Sequence, residues 1–352
     1  MGMSESAREV FRRGGVIPAH PLALDERRSL DERHQRALSR YYIEAGGTGL
    51  AVAVHTTQFA LHEPHRGLLK PVLELAAATA AEYQDRRTVL IAGAVGPTEQ
   101  AVAGAEIAAS LGYDYILLTP YGADTASEDD LLQRTRAVAE VLPVIGFYLQ
   151  PAVGGRVLSR SYWQRLAEIP AVVGIKIAPF DRYATLEVVH GVAASGRAGE
   201  VTLYTGNDDH IVMDLLTDFP AVDPNGAAVH QQMVGGLLGQ WAVWVHNAVE
   251  LLDDARLARS GDDQALRRLV EINPRLTDAN AALFDSVNHF RGSVAGVHEV
   301  LRRQGLLAGG WFLDENEGLS PGQAEEIDRI WDAYPELRDD EFIAENLDRW
   351  LS

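Results

Sequence analysis

Short apolar runs alternate with longer segments of helical spacing through the first two thirds of the chain. The runs lie at 49–55 (GLAVAVH), 88–94 (TVLIAGA), 114–118 (DYILL), 143–148 (PVIGFY), 172–177 (VVGIKI) and 201–205 (VTLYT). Each is too short for a helix and is not broken by polar alternation, the pattern of parallel strands buried on both faces. Segments such as 99–111 (EQAVAGAEIAASL) and 129–141 (DDLLQRTRAVAEV) carry helical spacing between them. A strand near 16–19 and another near 235–240 (GGLLGQ) bring the count to eight. Strand–helix alternation of this length predicts a doubly wound open sheet or a closed eight-stranded barrel. No Gly-rich dinucleotide fingerprint follows the first strand, which favours an α/β chain of the (β/α)8, or TIM, barrel type.

Beyond about residue 240 the strands stop. Helical patterns follow at 242–258, 262–272, 276–289, 294–305, 321–333 and 340–351. The expected organisation is a leader at 1–14, a barrel over 15–241 and a C-terminal helical region over 242–352. Residues 217–230 (TDFPAVDPNGAAVH) read as a loop inserted before the last strand, from their Pro and Gly signals.

The formal net charge of −19 opposes nucleic acid and anionic membrane surfaces, and no Lys/Arg-rich run offsets it locally. The absence of cysteine removes disulfides, thiolate nucleophiles and Cys-ligated metal sites, and fits a cytoplasmic protein. No apolar run approaches the roughly 20 residues that span a bilayer, and the polar N-terminus lacks the apolar stretch of a signal peptide. Met1, Gly2 and Ser6 match a myristoylation pattern too loose to carry a membrane anchor.

Of 31 basic residues only Lys70 and Lys176 are lysine; the rest are arginine. Lys70 opens a helix and reads as a surface residue, whereas Lys176 sits inside the apolar run VVGIKIAP. Burying an ammonium there is costly unless it is paired or neutralised. A neutral primary amine attacks a ketone to form an imine, which a guanidinium does not do. The alternative is a lysine that ends its strand and reaches solvent. Tyr148 ends the strand VIGFY, where a phenol can exchange protons near an imine on the next strand, or simply serve as a strand aromatic. His55, Thr56 and Thr57 end the second strand, where hydroxyls and backbone N–H groups make a possible carboxylate cradle.

Strand-end Thr-Thr, strand-end Tyr followed by Pro, and Lys in a Gly-Ile-Lys strand together resemble the dihydrodipicolinate synthase / N-acetylneuraminate lyase family. Here they read HTTQF, FYLQP and GIKIAP, supported by IAGAVGPTEQAV (91–102), LLTPY (117–121), TGNDD (205–209) and FRGSVAGVHEVLRRQGL (290–306). The resemblance implies a class I lyase, an aldolase or dehydratase acting on a 2-oxo acid such as pyruvate or a keto-deoxy sugar acid. In it Lys176 forms the Schiff base, Tyr148 shuttles protons, and Thr56 and Thr57 bind the substrate carboxylate. Gly206 and Asn207 lie at the rim. No cofactor or metal is called for, and a homo-oligomer, tetramer or dimer, is the family's usual assembly.

Departures from that pattern argue against dihydrodipicolinate synthase itself. The family's Gly-Thr-Thr-Gly-Glu is His55-Thr56-Thr57-Gln58-Phe59 here, and Gly122 replaces the tyrosine that synthases donate across a subunit interface. Val153 stands where their arginine binds the second substrate's carboxylate, and Ile177 replaces an acidic residue. His55 and Gln58, if they face the cavity, read the variable half of the substrate; otherwise they close the second strand–helix loop. Two rival readings follow from the residues. A metal-dependent barrel hydrolase would draw ligands from His20, His55, His62 and His65, and a non-catalytic metabolite-binding barrel would account for the altered HTTQF motif.

Overall fold

The computed structural model describes residues 6–352; residues 1–5, with the start of the leader and the myristoylation pattern, lie outside the described residues. Among the described residues ten strands form: β1 Val16–Pro18, β2 Gly49–Val52, β3 Val89–Ala94, β4 Tyr115–Leu118, β5 Val144–Leu149, β6 Val172–Ala178, β7 Thr202–Thr205, β8 Phe219–Val222, β9 Ala228–Gln231 and β10 Met233–Leu238. Eight of them, all but β8 and β9, make a parallel sheet in the order β1-β10-β7-β6-β5-β4-β3-β2. Its edges meet: Thr48 N–H donates to Val16 O and His20 N–H to Ala51 O, both at 2.8 Å. The fold is therefore a (β/α)8 barrel.

Helices α1 Ala7–Arg13, α2 Glu32–Glu44, α3 Leu69–Ala80, α4 Thr98–Ser110, α5 Glu128–Ala139, α6 Arg160–Ala167, α7 Arg182–Ala194 and α8 Ile211–Leu216 accompany the strands. Alternate side chains of each strand pack in opposite directions. Ile145, Phe147 and Leu149 of β5 join Ile17, Ile91, Leu117 and Leu237 inside the barrel, while Val144 and Tyr148 join the layer between sheet and helices. Helix α1 closes the N-terminal end. Phe11 lies 4.8 Å from the Tyr204 ring and 5.0 Å from the Tyr115 ring, and the Tyr204 hydroxyl donates to Phe11 O at 2.7 Å. A Cβ on Gly174 would come within 2.9 Å of that Phe11 ring, so the plug requires glycine there.

The insert at 217–230 is not a plain loop. β8 and β9 pair as an antiparallel hairpin, because Asp223 Oδ1 accepts the Asn225 and Ala227 N–H groups at 2.9 and 2.8 Å and Gly226 supplies φ +81°. The C-terminal region holds α9 Val245–Arg259, α10 Asp263–Leu283, α11 Ser293–Arg303, α12 Gln323–Ala333 and α13 Asp340–Trp350. The two helices expected at 262–272 and 276–289 are one, α10, which runs through Pro274. Proline keeps a helical φ and removes one backbone donor, while buried Leu269, Leu276 and Ala279 hold both halves against the protein. The final residues fold back onto the barrel. Asp339 accepts from the Tyr41 hydroxyl (2.7 Å) and from the His246 and Asn247 N–H groups (2.7 and 3.1 Å), capping the start of α9. Trp350 is buried against Tyr41, and Arg349 pairs with Glu44 of α2. No described helix is long and apolar enough to cross a membrane.

Candidate active site

The C-terminal ends of the barrel strands open into a cavity, which the segments around α10 and α11 partly cover. Lys176 enters it from β6. Strand register places the lysine beside Phe147 of β5 and Tyr204 of β7, on the inward face. The residue is 5% exposed, and Nζ stands 4.3 Å from the centre of the Phe147 ring. Burial draws the lysine pKa below its ordinary value, against the opposing pull of the Asp208 carboxylate. The site thus holds an amine biased toward its neutral, nucleophilic form.

Gly206 follows β7 and lies directly over the lysine. A Cβ there would stand 2.8 Å from Lys176 Cε and 2.7 Å from Ala178 Cβ, so the side chain's path into the cavity depends on glycine.

Asp208, two residues on, lines the same cavity and is buried. Burial raises its pKa, while the Gln240 N–H (2.7 Å to Oδ1) and the Lys176 charge oppose the rise. An amine pulled down and a carboxyl pushed up in one pocket titrate as a pair and make an acid–base couple suited to proton transfer near neutral pH.

The other expected residues divide. His55 lines the cavity, and burial followed by the Lys176 charge lowers its pKa to about 4, so it is a neutral imidazole there. Thr56 also lines the cavity, but its hydroxyl donates to Ala19 O at 2.7 Å. The Thr57 hydroxyl donates to His20 O at 2.6 Å and lies outside the lining. The threonine pair therefore latches the end of β2 to β1, and the proposed double cradle is reduced to Thr56.

Gln58 turns away. Its Oε1 accepts the Leu313 N–H at 2.7 Å, which ties the second strand–helix loop to the segment after α11. Asn207 is fully buried, accepting the Phe180 N–H at 3.0 Å and donating to Asp214 at 2.9 Å, so it shapes the rim without entering the cavity. Of the four histidines considered as ligands, His20 bonds Ser39 and Pro21 O, His62 bonds Ala53 O, and His65 sits beside Glu63 on the surface. Among the described residues, no three His, Asp or Glu side chains gather in a metal-ligating cluster.

Tyr148 needs correction. It is on the outer face of β5, its ring 4.9 Å from Trp163 of α6. Alternation along the strand sends Phe147 inward and Tyr148 outward, so Phe147 occupies the place beside Lys176. Sequence reasoning missed Asp208, although TGNDD carries it; a loop after a strand has no periodicity to say which side chain points inward.

The fold and site define a parallel barrel with a buried lysine amine at its mouth. The sequence model of the Dihydrodipicolinate synthetase family matches residues 12–218, and the chain belongs to that family. A 4-hydroxy-tetrahydrodipicolinate synthase of Neisseria meningitidis is 28% identical over 209 residues, 57% of this chain and 66% of that protein's length. The Pseudomonas aeruginosa protein of the same name is 27% identical over 248 residues, 69% of this chain and 73% of its own. Solved structures share the fold. The pyruvate-complexed, chloride-inhibited dihydrodipicolinate synthase of Acinetobacter baumannii superposes with a TM-score of 0.70 at 23% identity, covering 91% of this chain and 98% of its own. The synthase of Methylacidiphilum fumariolicum gives 0.72 at 20% identity, covering 92% and 96%.

Proposed function

We propose that this protein is a lyase that forms a Schiff base between Lys176 and a 2-oxo acid, acting as an aldolase or dehydratase. The observation that carries the reading is the buried Lys176 amine in the cavity, one of two lysines in a chain otherwise furnished with arginine. The neutral amine attacks the ketone carbon, and loss of water leaves a protonated imine. That imine takes up the electron pair released when a bond to C3 or a C3 proton breaks.

Asp208 carries the protons that the family resemblance gave to Tyr148. It faces the reacting amine, and its raised pKa lets it give and take a proton near neutral pH. The neutral His55 imidazole can donate to the substrate carboxylate, as can Thr56 once its proton turns from Ala19 O. Val153 in place of an arginine makes a reaction other than dihydrodipicolinate synthesis the better reading. A cytoplasmic homo-oligomer, tetramer or dimer, belongs to the same proposal.

The outward Tyr148 and the latched threonines favour one competitor, a non-catalytic metabolite-binding barrel. Intact mass after pyruvate and sodium borohydride separates the two. A pyruvyl adduct on wild type and none on Lys176→Ala supports the lyase. Absence of an adduct from folded wild type across a panel of 2-oxo acids, with binding retained, establishes the competitor.

A further inference from the structure

Beyond Lys176 the cavity is walled by aromatic and aliphatic side chains from separate parts of the chain. Phe180 follows β6, Phe284 ends α10 and Phe290 precedes α11; Leu149 and Val153 complete the wall from β5 and its following turn. Phe180 and Phe290 form an edge-to-face pair, ring centroids 5.5 Å apart at 84°. Both have left-handed backbone, φ +54° and +65°, a strained conformation for phenylalanine. The strain is held in place: Asn207 Oδ1 accepts the Phe180 N–H at 3.0 Å, and Asp285 O accepts the Phe290 N–H at 3.0 Å. Two rings are thus fixed against backbone preference at the rim of the reacting centre.

The charge of the lining points the same way. Among the described residues Lys176 is its only cation, and that amine is used by the imine; the other ionisable groups are Asp208 and the neutral His55. A second carboxylate on the substrate would meet Asp208 with no partner. A polyhydroxylated chain would need donors and acceptors along the wall, which offers chiefly Gln150 and Ser293.

We infer that the variable half of the substrate is an uncharged aromatic group, so that the bond made or broken joins C3 of a pyruvyl unit to the carbonyl carbon of an aromatic aldehyde. This rests on the Schiff-base reading and adds the substrate class to it. In the cleavage direction Lys176 Nζ forms an imine with C2 of a 4-aryl-4-hydroxy-2-oxobutanoate, releasing water. A base takes the C4 hydroxyl proton, the C3–C4 bond breaks, and its electron pair moves into the imine as the aryl aldehyde leaves. The enamine gains a proton at C3, and water hydrolyses the imine to pyruvate and free lysine. No oxidant or reductant enters.

The test supplies the full-length protein with pyruvate and, separately, benzaldehyde, glyceraldehyde or glyoxylate, and follows the condensation product by mass-resolved chromatography. The expected result is a kcat/KM for benzaldehyde at least about tenfold above the other two. Phe290→Ala should lower it about tenfold more than it lowers the rate of pyruvate trapping by borohydride. Equal or better use of glyceraldehyde or glyoxylate overturns the inference and leaves the Schiff base standing, as does trapping of pyruvate with no condensation or cleavage of any aryl substrate. Failure of pyruvate trapping in folded wild type overturns the Schiff-base reading and this inference with it.

Discussion

The Lys176 amine stands 4.3 Å from the centre of the Phe147 ring, so an apolar face replaces a phenol beside the nucleophile. A cation over a ring is attracted to it, yet the surroundings are dry enough that burial still disfavours the ammonium. Tyr148, one residue along, is separated from the amine by the sheet itself.

Tyr148→Phe should therefore leave kcat within about threefold of wild type, since removing a working general acid or base costs roughly 10²–10⁴. Loss of the buried phenol oxygen should change stability by no more than about 1 kcal/mol. Steady-state rates with any accepted substrate check the first, and urea unfolding the second. A hundredfold fall in kcat in a folded variant would return the phenol to the chemistry.

Asp208→Asn separates proton transfer from imine formation. Its negative charge raises the Lys176 pKa against the larger effect of burial, so removing it should lower the lysine pKa further. Borohydride trapping of pyruvate rises with pH as the amine loses its proton, and in the variant that rise should move to lower pH. Turnover should fall about 10²–10⁴-fold, because the proton carrier is gone. A rise moved to higher pH, or full turnover, would contradict the assignment.

Gly206→Ala is a steric test of the lysine's path. Nothing in the backbone conformation at 206 demands glycine, but the added methyl meets Lys176 Cε at 2.8 Å. The variant should fold, with circular dichroism like wild type, and form imine at a rate reduced at least about tenfold through misplacement of the amine. An unchanged trapping rate would mean that the lysine reaches its substrate by another route.

His298 sets a pH dependence of stability far from the chemistry. It is buried in α11 with both ring nitrogens unpartnered, its ring 4.7 Å from Phe312, and burial lowers its pKa to about 3. Below an unfolded-state value near 6.5 the unfolded chain takes up a proton that the folded one refuses. Stability from this group is therefore complete above pH 6.5 and falls as the pH drops toward 3. His298→Leu, which leaves no orphaned nitrogen, should be no less stable than wild type at pH 7.5. At pH 5 its advantage should widen by about 2 kcal/mol. Urea titrations at the two pH values check this; a constant difference would show that the histidine is not held neutral.

The parallel strands were legible because each is a short run apolar on both faces, and only a sheet covered on both sides accommodates eight of them. Lys176 stood out because a chain that uses arginine almost throughout places its amine in such a run. The same two-sided apolarity hid which way each side chain points. Phe147 and Tyr148 are both acceptable inside or outside, and only the register of β5 against β6 sent the first to the cavity and the second to Trp163. In the loop after β7, Gly206, Asn207 and Asp208 look equivalent as letters. Packing decided that the first clears the lysine's path, the second holds Phe180, and the third faces the amine. The aromatic wall was illegible for a related reason. Phe180 is separated from Phe284 and Phe290 by more than a hundred residues of chain, and only closure of the barrel under the C-terminal helices brings them around one cavity. The sequence by itself determined the elements and the one amine; the tertiary structure decided its neighbours, because facing and distance are properties of packing rather than of order along the chain.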